Sequence, residues 1–299
     1  MRRVSDRSGA AAVGLLVDRV AGEPPAPVHP VAAFGRAMGW VERGLYRDSR
    51  HAGVAYTATG CALGVLAAAT VPAAVVVAGA AAGRELRRTA LGIGSALAAG
   101  EIERARTLVP ALVGRDPSAL DVSGLAAAVI ESVAENTVDA VVAPVWWASV
   151  AGGTGAAVYR ALNTMDAMVG HRSPRYERFG WASARLDDVA NFVPARVTAL
   201  LVALLRPGAA GAVRRAVRDQ AGAHPSPNAG VAEAAFAAVL GRELGGPLRY
   251  GDRHEDRPRL GWGPRPTPAD IPRAVGLSSQ IELALLGALA AGWIAGRTR

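Results

Sequence analysis

The sequence predicts an all-α fold: a multi-pass integral membrane helical bundle whose extramembrane helices and loops form a polar site at the membrane surface. Three observations predict it. Of 299 residues 51% are hydrophobic and only 19% charged, whereas soluble domains carry about a quarter charged residues. The apolar content is mostly Ala, Val and Leu, with aromatics at 5%, a balance that favours helix over strand. Residues 52–83 contain no charged side chain and no histidine, which exceeds the roughly 20 apolar residues needed to cross the hydrocarbon core. A soluble core helix rarely runs so far without a polar face.

Residues 9–17 are a short apolar stretch behind Met1-Arg2-Arg3, which faintly resembles a signal peptide. It ends at Asp18-Arg19 without a cleavage site and reads as mature sequence and a marginal span. Residues 18–36 form a Pro-rich turn carrying Asp18, Glu23 and His29. The long run 52–83 is expected to tilt, or to kink at Pro72. Residues 84–99 and 101–113 read as a helix pair, 114–117 as a turn and 118–139 as another helix. Residues 140–159 are a second uncharged span. Residues 189–205, broken by Arg196, and 274–296, broken by Glu282, are weaker candidates. The Pro-, Gly- and Arg-rich region 206–273 has one clear helix, 229–244, with Asn228 as its expected N-cap. No repeat or low-complexity linker divides the chain. It therefore reads as one membrane-embedded domain over 1–299, with extramembrane segments at approximately 84–139 and 206–273. Arginines flank every span on both sides, so the positive-inside count leaves orientation open.

Composition also excludes chemistries. Net charge is +8 and every basic residue is Arg; a P-loop and a Schiff-base mechanism both need lysine. Cys61 is the one cysteine, so no disulfide framework or Cys-based metal site can form. There is no GxGxxG after a strand, no HExxH and no GxSxG. The arginines are spread beside apolar runs, a pattern suited to headgroups and phosphorylated substrates rather than nucleic acid.

Five polar clusters could carry chemistry, one of them the early turn with Asp18, Glu23 and His29, which could equally only shape a loop. Glu131, Glu135 and Asp139 are spaced i, i+4, i+8, stacking three carboxylates on one helix face, where they repel unless a cation sits opposite. Magnesium held by one or two carboxylates and substrate phosphates would fit. Arg160, Asn163 and Asp166 share a helix face that ends at Gly170, and Arg172 and Arg175 in the adjoining turn could clamp a phosphate with forked bonds. Arg185, Asp187, Asp188 and Asn191 lie at the mouth of an apolar segment, where ionisable groups are costly and are functional candidates by default. His224 and Asn228 approach a helix N-terminus through a rigid Pro-rich turn, which suits phosphate.

In sequence order these clusters resemble the adenosylcobinamide-phosphate synthase family of cobalamin biosynthesis (the CobD/CbiB family). The matching stretches are DRVAGEPPAPVHPV at 18–31 with FGR at 34–36, GRD at 114–116 and ESVAENTVDAVVAP at 131–144. They continue with YRALNTMDAMVGHRSPRYERFGWASARLDDVANFVPAR at 159–196, HPSPNAGVAEAA at 224–235 and GGPLRYGD at 245–252. The resemblance covers nearly the whole chain. It implies a multi-pass enzyme of the cell membrane that uses ATP and Mg²⁺ to join (R)-1-amino-2-propanol, or its O-phosphate, to a propionate carboxylate of adenosylcobyric acid. Within that chemistry, Glu131, Glu135, Asp139, Asp187 and Asp188 are expected as metal ligands. Arg160, Arg172, Arg175 and Arg185, with Asn163, Asn191 and Asn228, are expected to hold phosphates, and Asp166 or His224 to act as general base. The lipid bilayer is the expected surrounding, nucleic acid is not a partner, and other late cobalamin-assembly enzymes or a second copy of the chain are candidate partners. The alternative reading is a corrinoid-binding membrane scaffold or transporter without catalysis.

Overall fold

The computed structural model describes residues 2–114, 116–118, 120–171, 173–250 and 253–298. The helices are α1 (Arg2–Ala21), α2 (Pro30–Leu45), α3 (Arg50–Thr70), α4 (Ala73–Ala80), α5 (Gly83–Ala98) and α6 (Ile102–Leu108). They continue as α7 (Val122–Thr137), α8 (Ala143–Met165), α9 (Trp181–Leu205), α10 (Ala210–Asp219), α11 (Ala229–Leu240) and α12 (Asp270–Arg297). One antiparallel hairpin, β1 (Leu244–Tyr250) with β2 (Arg253–Leu260), precedes α12. The fold is the expected helical one, with the hairpin as its departure.

Among the described residues four helical stretches are long and apolar enough to cross a membrane: Arg50–Thr70, Val122–Gly170, Trp181–Leu205 and Asp270–Arg297. They contain the expected spans 140–159, 189–205 and 274–296 and the part of 52–83 up to Thr70, while residues 9–17 fall inside α1, which is not among the four. Large apolar side chains on these helices are left on the outside: Leu66 is 63% exposed, Val189 70%, Leu204 65% and Ile294 60%. Such positions lose nothing in hydrocarbon and suit a lipid-facing wall.

The run 52–83 is broken rather than kinked. Val71 is extended (φ −125°, ψ 137°), and α4 starts afresh with the Pro72 carbonyl accepting from the amides of Val75 and Val76. Proline has no N–H to offer α3 and pushes the residue before it out of the helical region.

The expected stack of Glu131, Glu135 and Asp139 is also corrected. A π-helical turn, Val138–Val142, joins α7 to α8. It adds a residue to the helical count and rotates the helix beyond it. Glu131 and Glu135 both precede the turn on α7, the first buried and the second exposed, and only Asp139, which is partly buried, lies within it. A second π-helical turn, Asp166–Gly170, ends the helix where the sequence places its stop.

The chain divides into two compact units, residues Met1–Ala82, Asp139–Asn191 and Leu285–Arg299 in the first, and Gly83–Val138 and Phe192–Ala284 in the second. In the first, α1 packs on α4 and α8, and α2 and α3 pack on α8. Small residues carry the α1–α4–α8 contact, with Ala11, Ala80, Ala148 and Ala156 around Leu15 and Val77, as close backbone approach in membranes requires. A second cluster holds Met38, Tyr56, Tyr159, Met165 and Phe179. The ring centroids of Tyr56 and Phe179 are 5.1 Å apart. Beside it Thr57 Oγ1 and Ser183 Oγ share a hydrogen bond of 2.9 Å.

In the second unit α7 and α11 are buried on nearly every face: residues 125–134 and 229–237 are all buried. α5 packs on α6 and α7, and α11 on α7, α10 and the hairpin. Leu244 and Leu260, paired in register and fully buried, anchor that hairpin. Its Gly and Pro residues conceal the strands at sequence level. Gly245 has φ +76°, and a side chain there would strike the Pro258 carbonyl. The N-cap expectation for α11 is corrected: Asn228 makes no cap bond, because its Oδ1 accepts from Arg196 Nη1 at 2.9 Å. Ser226 Oγ takes the role, accepting from the Ala229 amide at 3.2 Å. α11 then closes on Gly241 at φ +64°, the usual left-handed helix stop.

Gly53 of α3 sits so close to the Phe179 carbonyl that an added Cβ would overlap it, whereas nothing lies within 4 Å of a Cβ at Gly39 in α2. Gly53→Ala is expected to cost about 1–3 kcal/mol and Gly39→Ala to gain about 0.5–1 kcal/mol. Unfolding of the detergent-solubilised variants measures the two opposite signs.

Candidate functional site

The first unit contains a connected polar cluster on residues of α8, α9 and the π-helical turn before α8. Tyr159 and Asn163 are one turn apart on α8, as are Asp187 and Asn191 on α9, so each pair shares a face. Tyr159 O–H donates to Asn191 Oδ1 at 2.9 Å. Asn191 Nδ2 donates to Asp187 Oδ2 at 3.1 Å, and Asn163 Nδ2 reaches Asp187 Oδ1 at 3.4 Å. Arg160 Nη1 donates to Asn163 Oδ1 at 3.3 Å. The Tyr159 hydroxyl also lies 3.3 Å from the Asp139 carbonyl and 3.5 Å from its Oδ1. Trp147 Nε1 donates to the Ala190 carbonyl at 3.0 Å and ties α8 to α9 beside the cluster.

The consequence is a held carboxylate. Two amide groups donate to the two oxygens of Asp187 and set its plane, while each amide is fixed in turn by Arg160 or Tyr159. Tyr159 and Asn191 are buried, whereas Asp187, Arg160, Asn163 and Asp139 are partly exposed. Buried donors therefore orient groups that a ligand can reach. Such an arrangement can bind a cationic or phosphate-bearing ligand and hold it with little rearrangement.

Five of the predicted residues come together here: Asp139, Arg160, Asn163, Asp187 and Asn191. Asp166 lies on the π-helical turn in the same unit. A Cβ at Gly170 would overlap its Oδ1, so this glycine makes room for the carboxylate. Arg185 is exposed and Asp188 partly buried on α9. Arg175 is engaged elsewhere: Nη2 bonds Glu42 Oε1 at 3.1 Å, and the guanidinium lies 4.2 Å from the Tyr46 ring centroid. Glu42 also accepts from Tyr176 O–H at 2.9 Å. Burial, with that carboxylate contact, pushes the Tyr176 phenol above its usual range. Arg172 lies outside the described residues.

The remaining predicted residues belong to the second unit. Glu131 is 2% exposed and accepts from the Gly245 amide at 2.8 Å, holding β1 against α7. Glu135 is exposed. His224 is buried, with Nδ1 accepting from the Ser226 amide at 3.1 Å and Nε2 lying 3.7 Å from Glu233 and 3.4 Å from Arg257. Both ring nitrogens are engaged within the fold, which argues against a free general base. Asn228 is bound to Arg196.

Tyr159 is the residue to which the sequence reading assigns no role. Its signal was available: it stands four residues before Asn163, on the face that the reading gave to Arg160 and Asn163.

Comparison with known proteins places the chain in a family. A family model described as CobD/Cbib protein matches residues 11–278. A cobalamin biosynthesis protein CobD of Mycobacterium tuberculosis is 47% identical over 284 residues, covering 90% of each chain. One from Chromobacterium violaceum is 42% identical over 283 residues, covering 89% of this chain and 90% of its own. One from Rhodobacter capsulatus is 52% identical over 182 residues, 60% of this chain and 58% of its own. No solved structure matches the chain.

Tyr159→Phe removes the donor that fixes Asn191 and is expected to destabilise by about 1–3 kcal/mol. Coupling is the sharper test. If the hydroxyl acts through Asn191, the Tyr159→Phe/Asn191→Ala double variant unfolds much like Asn191→Ala alone, whereas additive costs would mean two independent sites.

Proposed function

Because the chain belongs to the CobD/Cbib family and thus to cobalamin biosynthesis, we propose that it is the amide-forming synthase of that pathway. In this reading it joins (R)-1-amino-2-propanol, or its O-phosphate, to a propionate of adenosylcobyric acid, using ATP. The observation that carries the reading is the oriented Asp187 carboxylate with Arg160 and Asn163 beside it, on helices apolar enough to cross a membrane. The cell membrane is its proposed location.

Amide formation from a carboxylate first requires an oxygen that can leave. The γ-phosphoryl of ATP passes to a propionate oxygen, giving an acyl phosphate and ADP. The amine nitrogen then attacks the carbonyl carbon, inorganic phosphate departs, and the ammonium proton passes to a base. Phosphoryl transfer depends mainly on positioning and charge neutralisation.

This chain's residues divide those tasks. Arg160 and Asn163 receive phosphate oxygens, and exposed Arg185 assists from α9. Asp166 takes the ammonium proton, a role worth about 10²–10⁴-fold. Among the described residues no three His, Cys, Asp or Glu side chains converge into a metal site. Mg²⁺ arriving with ATP needs only one or two protein carboxylates. Asp187 fits that need best, with Asp139 the other partly exposed carboxylate of the cluster. Such an ion would neutralise charge on the transferring phosphoryl group.

Membranes bearing the purified protein, given ATP, Mg²⁺, cobyric acid and each amine in turn, are expected to yield an amide product by mass spectrometry. Asp187→Asn is expected to lower the rate at least about 100-fold with the protein still folded in detergent. Gly170→Ala is expected to mimic Asp166→Asn by displacing the carboxylate. Near-normal turnover of Asp187→Asn would overturn the site, and absence of ATP-dependent product with either amine would overturn the reaction.

A further inference from the structure

The first unit holds an apolar cavity of about 290 Å³ between α2, α3, α4 and α8. Phe34, Leu63, Val71 and Val76 contribute to its walls, and among its lining residues only Arg160 is charged. Arg160 is also the end of the polar cluster, with Nη1 on Asn163. Its Nε is buried and has no hydrogen-bond partner among the described residues. Thr164, one turn further along α8, is the other lining side chain with a polar group, and its hydroxyl bonds the Arg160 carbonyl.

We propose that this cavity binds an anionic membrane lipid, with one acyl chain in the apolar space and the headgroup phosphate at partly exposed Arg160. Three features favour a lipid over a soluble anion. The walls are apolar, and the volume is close to that of small-molecule sites, which begin at about 300 Å³. Two of the bounding helices, α3 and α8, lie in stretches able to span a membrane. A charged side chain lining an otherwise apolar cavity is costly unless an anion meets it, and an arginine fork matches phosphate geometry. One guanidinium then touches both the lipid and the Asn163–Asp187 network. The inference shares Arg160 with the reaction proposed above, but it is read as lipid retention and not as turnover, so the two can fail separately.

The test is native mass spectrometry of the detergent-purified protein, given phosphatidylglycerol or phosphatidylcholine with identical acyl chains. Phosphatidylglycerol is expected to be retained about tenfold better, and millimolar inorganic phosphate should not displace it. Arg160→Gln is expected to erase the preference and Arg160→Lys to keep much of it. Ala67→Phe, at an exposed position on the cavity wall, is expected to lower retention of both lipids. Unfolding without added lipid confirms that each variant is folded, and the Arg160 pair stands alone if Ala67→Phe is not. A preference that survives Arg160→Gln would overturn the proposal, and so would retention unaffected by a folded Ala67→Phe. Displacement by free phosphate would instead show a soluble-anion site, which also overturns it.

Discussion

A carboxylate carried on a membrane-spanning helix is tolerable only when donors surround it, and that constraint organises the first unit. Asp187 is enclosed by two amides, and each amide is locked by a further group, Arg160 or Tyr159. The chain of bonds runs from a partly exposed guanidinium through to a buried phenol. It orients the carboxylate of partly exposed Asp187 through groups already fixed by packing. Tyr159 can serve this way because its ring belongs to the same apolar cluster as Tyr56, Met165 and Phe179. The polar network thus inherits its position from the apolar core.

The same principle works differently in the second unit, where buried acids serve architecture. Asp270 is 1% exposed and meets Arg242 at 2.9 Å, Arg273 at 2.6 Å, and the amide and hydroxyl of Thr267, each at 2.9 Å. Glu282, fully buried, meets Arg87 at 2.6 Å. Glu131 meets a strand amide. Breaking such pairs leaves a charge stranded in low dielectric, at about 3–5 kcal/mol. Acidic residues in an apolar chain are therefore not all reaction machinery. The distinction lies in access: Asp187 and Asp139 keep exposed surface, whereas Glu131, Asp270 and Glu282 do not.

The helical fold and its apolar spans were legible because they depend on composition and run length, which a linear sequence displays directly. The pairing of Asp187 with Asn191 was equally legible, since four-residue spacing has one meaning on a helix. The carboxylate stack at 131, 135 and 139 failed for a local reason. A single π-helical turn starting at Val138 moves Asp139 out of register, and Glu131, on α7 before it, is taken by the Gly245 amide. The N-cap of α11 failed because Arg196, distant in sequence, claims the Asn228 side chain. The hairpin escaped notice because its glycines and prolines read as loop.

By itself the sequence determined the chain's apolar, predominantly helical character and the inventory of acids, amides and arginines available for chemistry. Those come from hydrophobicity and periodicity, which are properties of neighbours along the chain. Only tertiary structure decided which of the acids is held open and which is buried as a brace. That choice depends on what packs opposite each side chain. Tyr159, Asn163 and Asn191 converge on one carboxylate because α8 and α9 meet there.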